Sequence, residues 1–237
     1  MLFKNILFFT LFLTQFICFS QTKLSRLEKK ILKQVNVNQQ DAIIFLEKVV
    51  NINSGTLNTK GVKMVGNVFS DAFDDLNFST EWIEMPKEMN RAGHLFAFKK
   101  GVKGKKLLLI GHLDTVFEEN SPFQTFERKD TIAYAPGGND MKGGNVVMLY
   151  ALKALHDLKL LNNCTITIAM TGDEESTGKP LSISRKDLIE SAKNSDIALG
   201  FENSTGYNNA TIARRGASGW SVTSTGKRAH SSGIFRE

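Results

Sequence analysis

The feature that most constrains the fold is a short apolar segment that ends in two polar residues. The apolar residues 107–110 lie between a pair of lysines and Gly111. A run of this length is typical of a strand buried on both faces inside a parallel sheet. His112 and Asp114 follow, and an extended backbone would place both side chains on the same side. Because open α/β sheets bind ligands at the carboxyl ends of their strands, the segment predicts a strand that leads into a functional site. A capped strand end is the alternative.

Helix-like and strand-like segments alternate along most of the chain. Apolar residues recur at helical spacing in residues 25–35, 38–52, 60–75, 141–160 and 186–192. Short apolar or alternating runs occupy residues 81–85, 94–99, 165–170 and 197–201. This order predicts an α/β fold with a mixed, largely parallel central sheet that is flanked by helices. Two further runs, near residues 211–214 and 220–223, predict the first strands of an antiparallel unit.

Residues 1–20 have the composition of a secretory signal peptide. Lys4 is their only charged residue, an apolar run follows it, and Cys18 and Ser20 place small side chains before a cut at Gln21. An uncleaved membrane anchor is the alternative. Cleavage would leave Cys164 as the only cysteine, so no internal disulfide is expected. The segment therefore predicts a secreted or periplasmic protein.

The charge of the chain argues against nucleic acid as a partner. The formal net charge is only +6 over 237 residues, and the basic residues are scattered. Their one dense group, lysines between residues 99 and 106, surrounds a glycine turn and predicts a solvated hairpin rather than a nucleic-acid surface. We expect no nucleic-acid partner, and no membrane partner once the signal is removed.

Several carboxylates lie at the same kind of position as His112. Asp140 precedes the long predicted helix, Glu174 and Glu175 follow the strand 165–170, and Glu202 follows the strand 197–201. A helix cap for Asp140 and a solvated acidic loop for the glutamates are the alternatives. One imidazole with several carboxylates suits zinc or a similar ion. Two such ions, about 3.5–4 Å apart, would hold a water and polarise a carbonyl group.

These motifs resemble those of a known family. The chain contains G-H-L-D-T-V at residues 111–116, G-N-D-M-K-G-G at 138–144 and T-G-D-E-E at 171–175, followed by Glu202. In this order they look like the zinc exopeptidase and deacylase family, which includes glutamate carboxypeptidase, succinyl-diaminopimelate desuccinylase, acetylornithine deacetylase and the aminoacylases. Residues 214–217 and 226–232 look most like the glutamate carboxypeptidase branch.

The resemblance implies a binding site for two zinc ions. His112 and Glu202 would bind the first ion, and Asp114 would orient the imidazole ring. Asp140 would bridge both ions, and Glu175 would bind the second. The peptide bond that follows Asp140 is expected to be cis.

The resemblance also implies the remaining roles. Glu174 would be the general acid/base, and His230 would contact the substrate oxyanion. The activity implied is that of a secreted, carboxypeptidase-like zinc metallopeptidase. It would hydrolyse an amide bond next to a free carboxylate, with C-terminal glutamate as the expected leaving group. An N-acyl amino acid deacylase, a dipeptidase and a non-catalytic metal-binding remnant stay open.

Domain organisation follows from the same resemblance. We expect a signal peptide at residues 1–20, a catalytic α/β metallohydrolase domain at 21–215 and the beginning of an inserted α+β lid and dimerisation domain at 216–237. The family continues with a segment that supplies the second zinc's histidine. No such segment follows here, so the catalytic domain is expected to be incomplete, the lid domain truncated and the second zinc site incomplete. The full-length protein is expected to be a homodimer that acts on a small peptide or an N-acyl amino acid.

Overall fold

The computed structural model describes residues 23–206, 209–213, 215–216 and 218–226. The predicted signal peptide, residues 1–20, and His230 lie outside the described residues. The chain divides into two units after Asn203. In the described part, none of the helices has the length and apolar character that a membrane crossing requires.

The described part of the first unit contains both helices and strands. The helices are α1 (Arg26–Val37), α2 (Gln39–Val50), α3 (Thr59–Asp74), α4 (Gly143–Asp157), α5 (Leu181–Ser184) and α6 (Lys186–Lys193). The strands are β1 (Ser79–Ile83), β2 (His94–Lys99), β3 (Lys106–His112), β4 (Glu127–Lys129), β5 (Ile132–Tyr134), β6 (Thr165–Thr171) and β7 (Ile197–Gly200). A short 3₁₀ turn, Lys87–Met89, and a π-type turn, Gly138–Lys142, complete the list for these residues.

The central sheet has the strand order β1-β2-β6-β3-β7. Strands β6, β3 and β7 are parallel, whereas β1 and β2 join the sheet antiparallel. The mixed α/β architecture expected from the sequence is therefore confirmed. Because the three parallel strands end at the same edge, the loops that follow them are brought together.

Apolar side chains fill both faces of this sheet. Helix α3 contributes the fully buried Phe69 and Phe73 to the larger cluster on one face. On the other face, Leu188 of α6 packs against a smaller cluster that contains Phe96 and Leu108. Burial on both faces explains why β3 is an uninterrupted apolar run, and it holds the end of β3 in a fixed position.

Two predicted features of the first unit are corrected by the structure. The lysine-rich segment between residues 99 and 106 is not a hairpin, because β6 lies between β2 and β3 and hydrogen-bonds to both. The long helix begins at Gly143 instead of Met141, because Asp140 and Met141 have non-helical backbone angles. The exposed hairpin β4–β5 had no apolar alternation that could have predicted it.

The prediction of two strands near residues 211–214 and 220–223 is wrong for the part of these ranges that the structure describes. The described residues there form neither strand nor helix. Apolar side chains there are exposed, with Ile212 at 97% and Trp220 at 84%. A β-strand requires a partner that exchanges backbone hydrogen bonds with it, and no described residue pairs with either range. The predicted lid and dimerisation domain at residues 216–237 stays a prediction.

Candidate metal centre

The predicted site residues of the first unit converge at the carboxyl edge of the sheet. His112 is the last residue of β3, Glu202 lies just beyond β7, and Glu174 and Glu175 follow β6. Asp140 reaches the same edge from the turn before α4. The convergence inferred from strand order is therefore observed.

Two glycines allow the elements around the site to approach each other closely. A Cβ atom on Gly144 would lie 1.8 Å from the carbonyl oxygen of Phe201, so only glycine lets the start of α4 touch the segment before Glu202. A Cβ atom on Gly111 would lie 2.1 Å from Oδ1 of Asn145. The backbone spacing at these glycines brings Asp140, His112 and Glu202 within reach of one another.

His112 presents its Nε2 atom to the site. The ring is buried, and Nδ1 donates to the carbonyl oxygen of Asp114 at 3.0 Å and lies 3.5 Å from Oδ1 of the same residue. Asn145 donates to the His112 carbonyl oxygen at 2.6 Å. These contacts fix the ring and its tautomer and leave Nε2 as the atom that can bind a ligand.

Asp140 and Glu202 face His112 Nε2. Oδ1 of Asp140 lies 3.0 Å from this nitrogen, and Oε1 of Glu202 lies 3.7 Å from it. One ligand atom from each of the three residues lies within 4.8 Å of the others. No side chain caps the amino end of α4, so Asp140 does not serve there as a helix cap. The helix-cap alternative for Asp140 is therefore not observed, and its role as a metal ligand stays a prediction.

A second cluster shares the same imidazole. Glu174 and Glu175 each place a carboxylate oxygen within 4.8 Å of a ring nitrogen of His112 and of one another. Glu174 is exposed to solvent, whereas Glu175 is partly buried. The adjacent glutamates therefore differ in their exposure to solvent, although both reach His112.

Asp114 has a wider role than orienting the His112 ring. Its Oδ1 accepts the backbone N–H of Glu174 at 3.0 Å, and its Oδ2 accepts that of Glu175 at 3.1 Å. The hydroxyl group of Thr56 donates to Oδ2 at 2.7 Å. This fully buried carboxylate thus connects the imidazole to the backbone of both glutamates.

The titration of the cluster reflects crowded acidic groups. Burial favours the neutral His112 ring, but the hydrogen bond and charge of Asp114, together with Glu202 and Asp140, outweigh burial and raise the pKa of His112 to about 9. Burial, followed by the charge of Asp140, raises the pKa of Glu175 to about 7. For Asp114, burial is outweighed by hydrogen bonds from His112 and Thr56, which lower its pKa.

A divalent cation fits this donor set. An imidazole nitrogen and several carboxylate oxygens are ligands that zinc accepts. Burial is the main cause of the raised pKa of Glu175, and a cation would relieve the repulsion from Asp140 that adds to it. His112, Asp140 and Glu202 would hold one ion. Glu175, with Asp140 as a shared ligand, would hold another.

Zinc affinity is expected to increase with pH, because the ion displaces the proton from His112 Nε2. Below a pKa of about 9 the metal-free ring is protonated, so affinity should rise about tenfold per pH unit up to that value and then level off. Glu175 should contribute a second proton below pH about 7 at the second ion. Competition titrations against a chelator across this range test the prediction. An affinity independent of pH would contradict it.

Asp114→Asn is expected to weaken zinc binding by about 10–100-fold, the usual cost of losing a group that orients a metal ligand. The amide NH₂ would replace an oxygen that now accepts backbone N–H groups, so both the ring and the glutamate backbone should shift. Thr56→Val is the milder comparison, since it removes one hydrogen bond to Asp114 and leaves the carboxylate in place. Equal zinc affinity in wild type and Asp114→Asn would show that the contacts of Asp114 do not position the ligands.

Three supporting residues were not found from the sequence. Thr56 and Asn145 act over a distance in the chain that no local pattern reveals. Lys142 is buried, and its ammonium donates to the carbonyl oxygens of Val49 and Ile52 at 2.9 and 2.8 Å at the end of α2. Burial lowers its pKa to about 7. A buried lysine cannot be distinguished from a surface lysine by spacing alone.

Comparisons with known proteins identify a family and relatives that the chain resembles. Residues 108–215 match the profile of peptidase family M20/M25/M40. The chain is 34% identical over 216 positions to carboxypeptidase G2 of Pseudomonas sp. (strain RS-16). This alignment covers 88% of this chain and 50% of that protein. It is 29% identical over 205 positions to a probable succinyl-diaminopimelate desuccinylase of Staphylococcus aureus (strain MRSA252). This second alignment covers 84% of this chain and 47% of that protein. The chain thus spans about half the length of these curated relatives.

Solved structures share the fold. Human carnosine dipeptidase 1 superposes with a TM-score of 0.61 at 17% identity, over 73% of this chain and 40% of that chain. An M20 family metallo-carboxypeptidase from Sulfolobus solfataricus superposes with a TM-score of 0.52 at 22% identity, over 67% of this chain and 36% of that chain. At these identities the likeness extends to the architecture of the α/β domain.

Proposed function

The chain carries a domain that belongs to peptidase family M20/M25/M40, and from that membership we propose that it forms the metal-binding part of a hydrolase of amide or peptide bonds. The observation that carries the proposal is the cluster of His112, Asp140 and Glu202, with Glu174 and Glu175 beside it at one sheet edge. A surface loop of acidic residues would not require a buried imidazole whose second nitrogen is held by Asp114.

The site residues are proposed to have different chemical roles, according to their exposure and their hydrogen-bond partners. A divalent cation held by His112, Asp140, Glu175 and Glu202 would supply Lewis acidity toward the carbonyl group of the scissile amide. Glu174 is exposed and can take a proton from the attacking water and pass it to the leaving nitrogen. Asp114 holds the ring of His112 and the backbone of Glu174, so that base and ligand keep a fixed separation.

The substrate class that we propose is a small peptide or acylated amino acid with a free carboxylate next to the scissile bond. Similarity to carboxypeptidase G2 supports a carboxypeptidase, and C-terminal glutamate is the residue that we propose it releases. Similarity to a probable succinyl-diaminopimelate desuccinylase supports an N-acyl amino acid deacylase as the second candidate. A dipeptidase of the same family would differ from both in its products, and a metal-binding chain without turnover would form none.

Hydrolysis assays on the full-length protein test the proposal. An N-blocked peptide ending in glutamate is compared with its C-terminal amide and with an N-succinyl amino acid, each with zinc and after chelation. A carboxypeptidase cleaves only the free-acid peptide, and cleavage requires the metal. Preferred cleavage of the N-succinyl compound would favour the deacylase, and zinc binding without any turnover would reject the enzyme.

We also propose that the protein is exported and that the full-length form is a homodimer. Export is supported by the apolar composition of residues 1–20 and by small side chains at Cys18 and Ser20. Amino-terminal sequencing of the native protein should begin at Gln21, and fractionation should place it outside the cytoplasm. His230 is proposed to contact the substrate oxyanion.

A further inference from the structure

The three consecutive carboxylates after β6 do not share one role. Asp173 is fully buried, whereas Glu174 is exposed and Glu175 is partly buried. Both oxygens of Asp173 already have partners, because Oδ1 pairs with Arg185 at 2.5 Å and Oδ2 accepts the backbone N–H of Gly178 at 2.8 Å. Asp173 is therefore not available to a metal ion or a substrate, and its charge serves the loop itself.

Arg185 contacts this loop on both sides of the two glutamates. Its Nη2 donates to the Asp173 carbonyl oxygen at 3.1 Å and to the Thr177 hydroxyl oxygen at 3.1 Å. Thr177 in turn donates its hydroxyl hydrogen to the Glu174 carbonyl oxygen at 3.3 Å. The planar guanidinium group has several N–H donors in fixed directions, so it can hydrogen-bond to several acceptors of the loop at once. The Arg185 side chain is only 17% exposed.

The loop is also held from the opposite side and at its ends. Asp114 accepts the backbone N–H groups of Glu174 and Glu175. His94 accepts the backbone N–H of Gly172 at its Nδ1 and donates from Nε2 to the carbonyl oxygen of Ser184, the residue before Arg185. The loop that carries the two glutamates is thus hydrogen-bonded to a carboxylate and to a guanidinium that come from different elements.

We propose that Arg185 is a positioning residue of the metal centre, acting through Asp173 and Thr177 to fix the backbone of Glu174 and Glu175 opposite Asp114. Because the backbone of the loop is already ordered, binding of a metal ion by the two glutamate side chains does not first have to order it. Arg185 itself touches neither the ligand atoms nor a substrate, so its effect is transmitted entirely through these contacts. The inference rests on the proposed metal site and adds the element that holds one side of it.

Hydrogen exchange in the full chain tests this inference directly. In Arg185→Gln, the Glu174 and Glu175 amides should exchange at least about tenfold faster, while amides of β6 keep their rates. Lys186→Gln is the matched control, because it removes the same charge from the next, exposed residue and should leave both sets unchanged. Unchanged exchange rates of the Glu174 and Glu175 amides would overturn the proposal. An equal increase in the exchange rates of the β6 amides would also overturn it, because an arginine that only stabilises the fold would affect the whole domain.

Zinc affinity gives a second measurement. Arg185→Gln should lower zinc affinity at the glutamate side of the site by about 10–100-fold, and Asp173→Asn combined with it should add little, because both changes break the same contact. Arg185→Lys keeps the charge and should restore part of the affinity, which also keeps the test valid if Arg185→Gln folds poorly. Full affinity in both arginine variants would overturn the proposal. Neither measurement uses a substrate, so a chain that hydrolyses nothing can still support this inference while rejecting the proposed function.

Discussion

Glu174→Gln is expected to lower turnover of the full-length enzyme by about 10²–10⁴-fold with little change in substrate affinity. The amide keeps the shape of the side chain and cannot take a proton from water. Glu174 is the exposed member of the pair, and its backbone N–H and carbonyl are both held, so the substitution should not move the loop. Initial rates, with metal content measured on the same samples, provide the test.

Glu175→Gln is the comparison that separates base from ligand. Glu175 is partly buried, and burial, followed by the charge of Asp140, raises its pKa. A shared cation would remove the repulsion from Asp140. We expect this variant to lose zinc at the second site and to regain part of its activity when zinc is added. If Glu174→Gln instead lost metal, while Glu175→Gln kept metal and lost turnover, the two roles would have to be exchanged.

Asp140→Asn is expected to weaken zinc binding by more than about 100-fold, because groups that only orient a ligand already contribute about 10–100-fold and Asp140 is a proposed ligand of both ions. Its Oδ1 lies 3.0 Å from His112 Nε2, closer than the 3.7 Å of Glu202. Zinc titrations of the 237-residue chain should show one tightly held ion, at His112, Asp140 and Glu202, and a weaker second one.

The controls for this prediction are two single substitutions. Glu202→Gln should weaken the first ion and leave the second, whereas Asp75→Asn, an exposed aspartate at the end of α3, should change neither. Two equally tight ions in wild type, no bound ion in wild type, or unchanged binding in Asp140→Asn would contradict the assignment of Asp140 as the bridging ligand.

The agreement between sequence and structure is closest where burial imposes a period. The strand at residues 107–110 and the helical spacing in residues 38–52 both follow from apolar residues that face a core. The agreement fails where burial is absent or a partner is distant. The exposed hairpin β4–β5 has no apolar period, and the insertion of β6 between β2 and β3 depends on a strand far along the chain.

The cis peptide bond between Asp140 and Met141 is observed, as the family resemblance implied. Spacing alone would have continued the helix through Met141, since nothing in its apolar pattern marks the turn. The resemblance therefore supplied local backbone information that periodicity lacked.

The sequence by itself determined which chemical groups stand at the end of each strand, because strand ends and helix starts follow from local burial and turn residues. It placed His112, Asp140, Glu174, Glu175 and Glu202 at one edge. Only the tertiary structure decided how neighbouring carboxylates differ. Asp173 is buried and forms an ion pair with Arg185, whereas Glu174 is exposed to solvent. Asp114 hydrogen-bonds to the backbone N–H groups of Glu174 and Glu175 and lies beside the imidazole of His112. These differences arise from hydrogen-bond partners such as Thr56, which lies 58 residues from Asp114, and a contact across that distance leaves no trace in spacing.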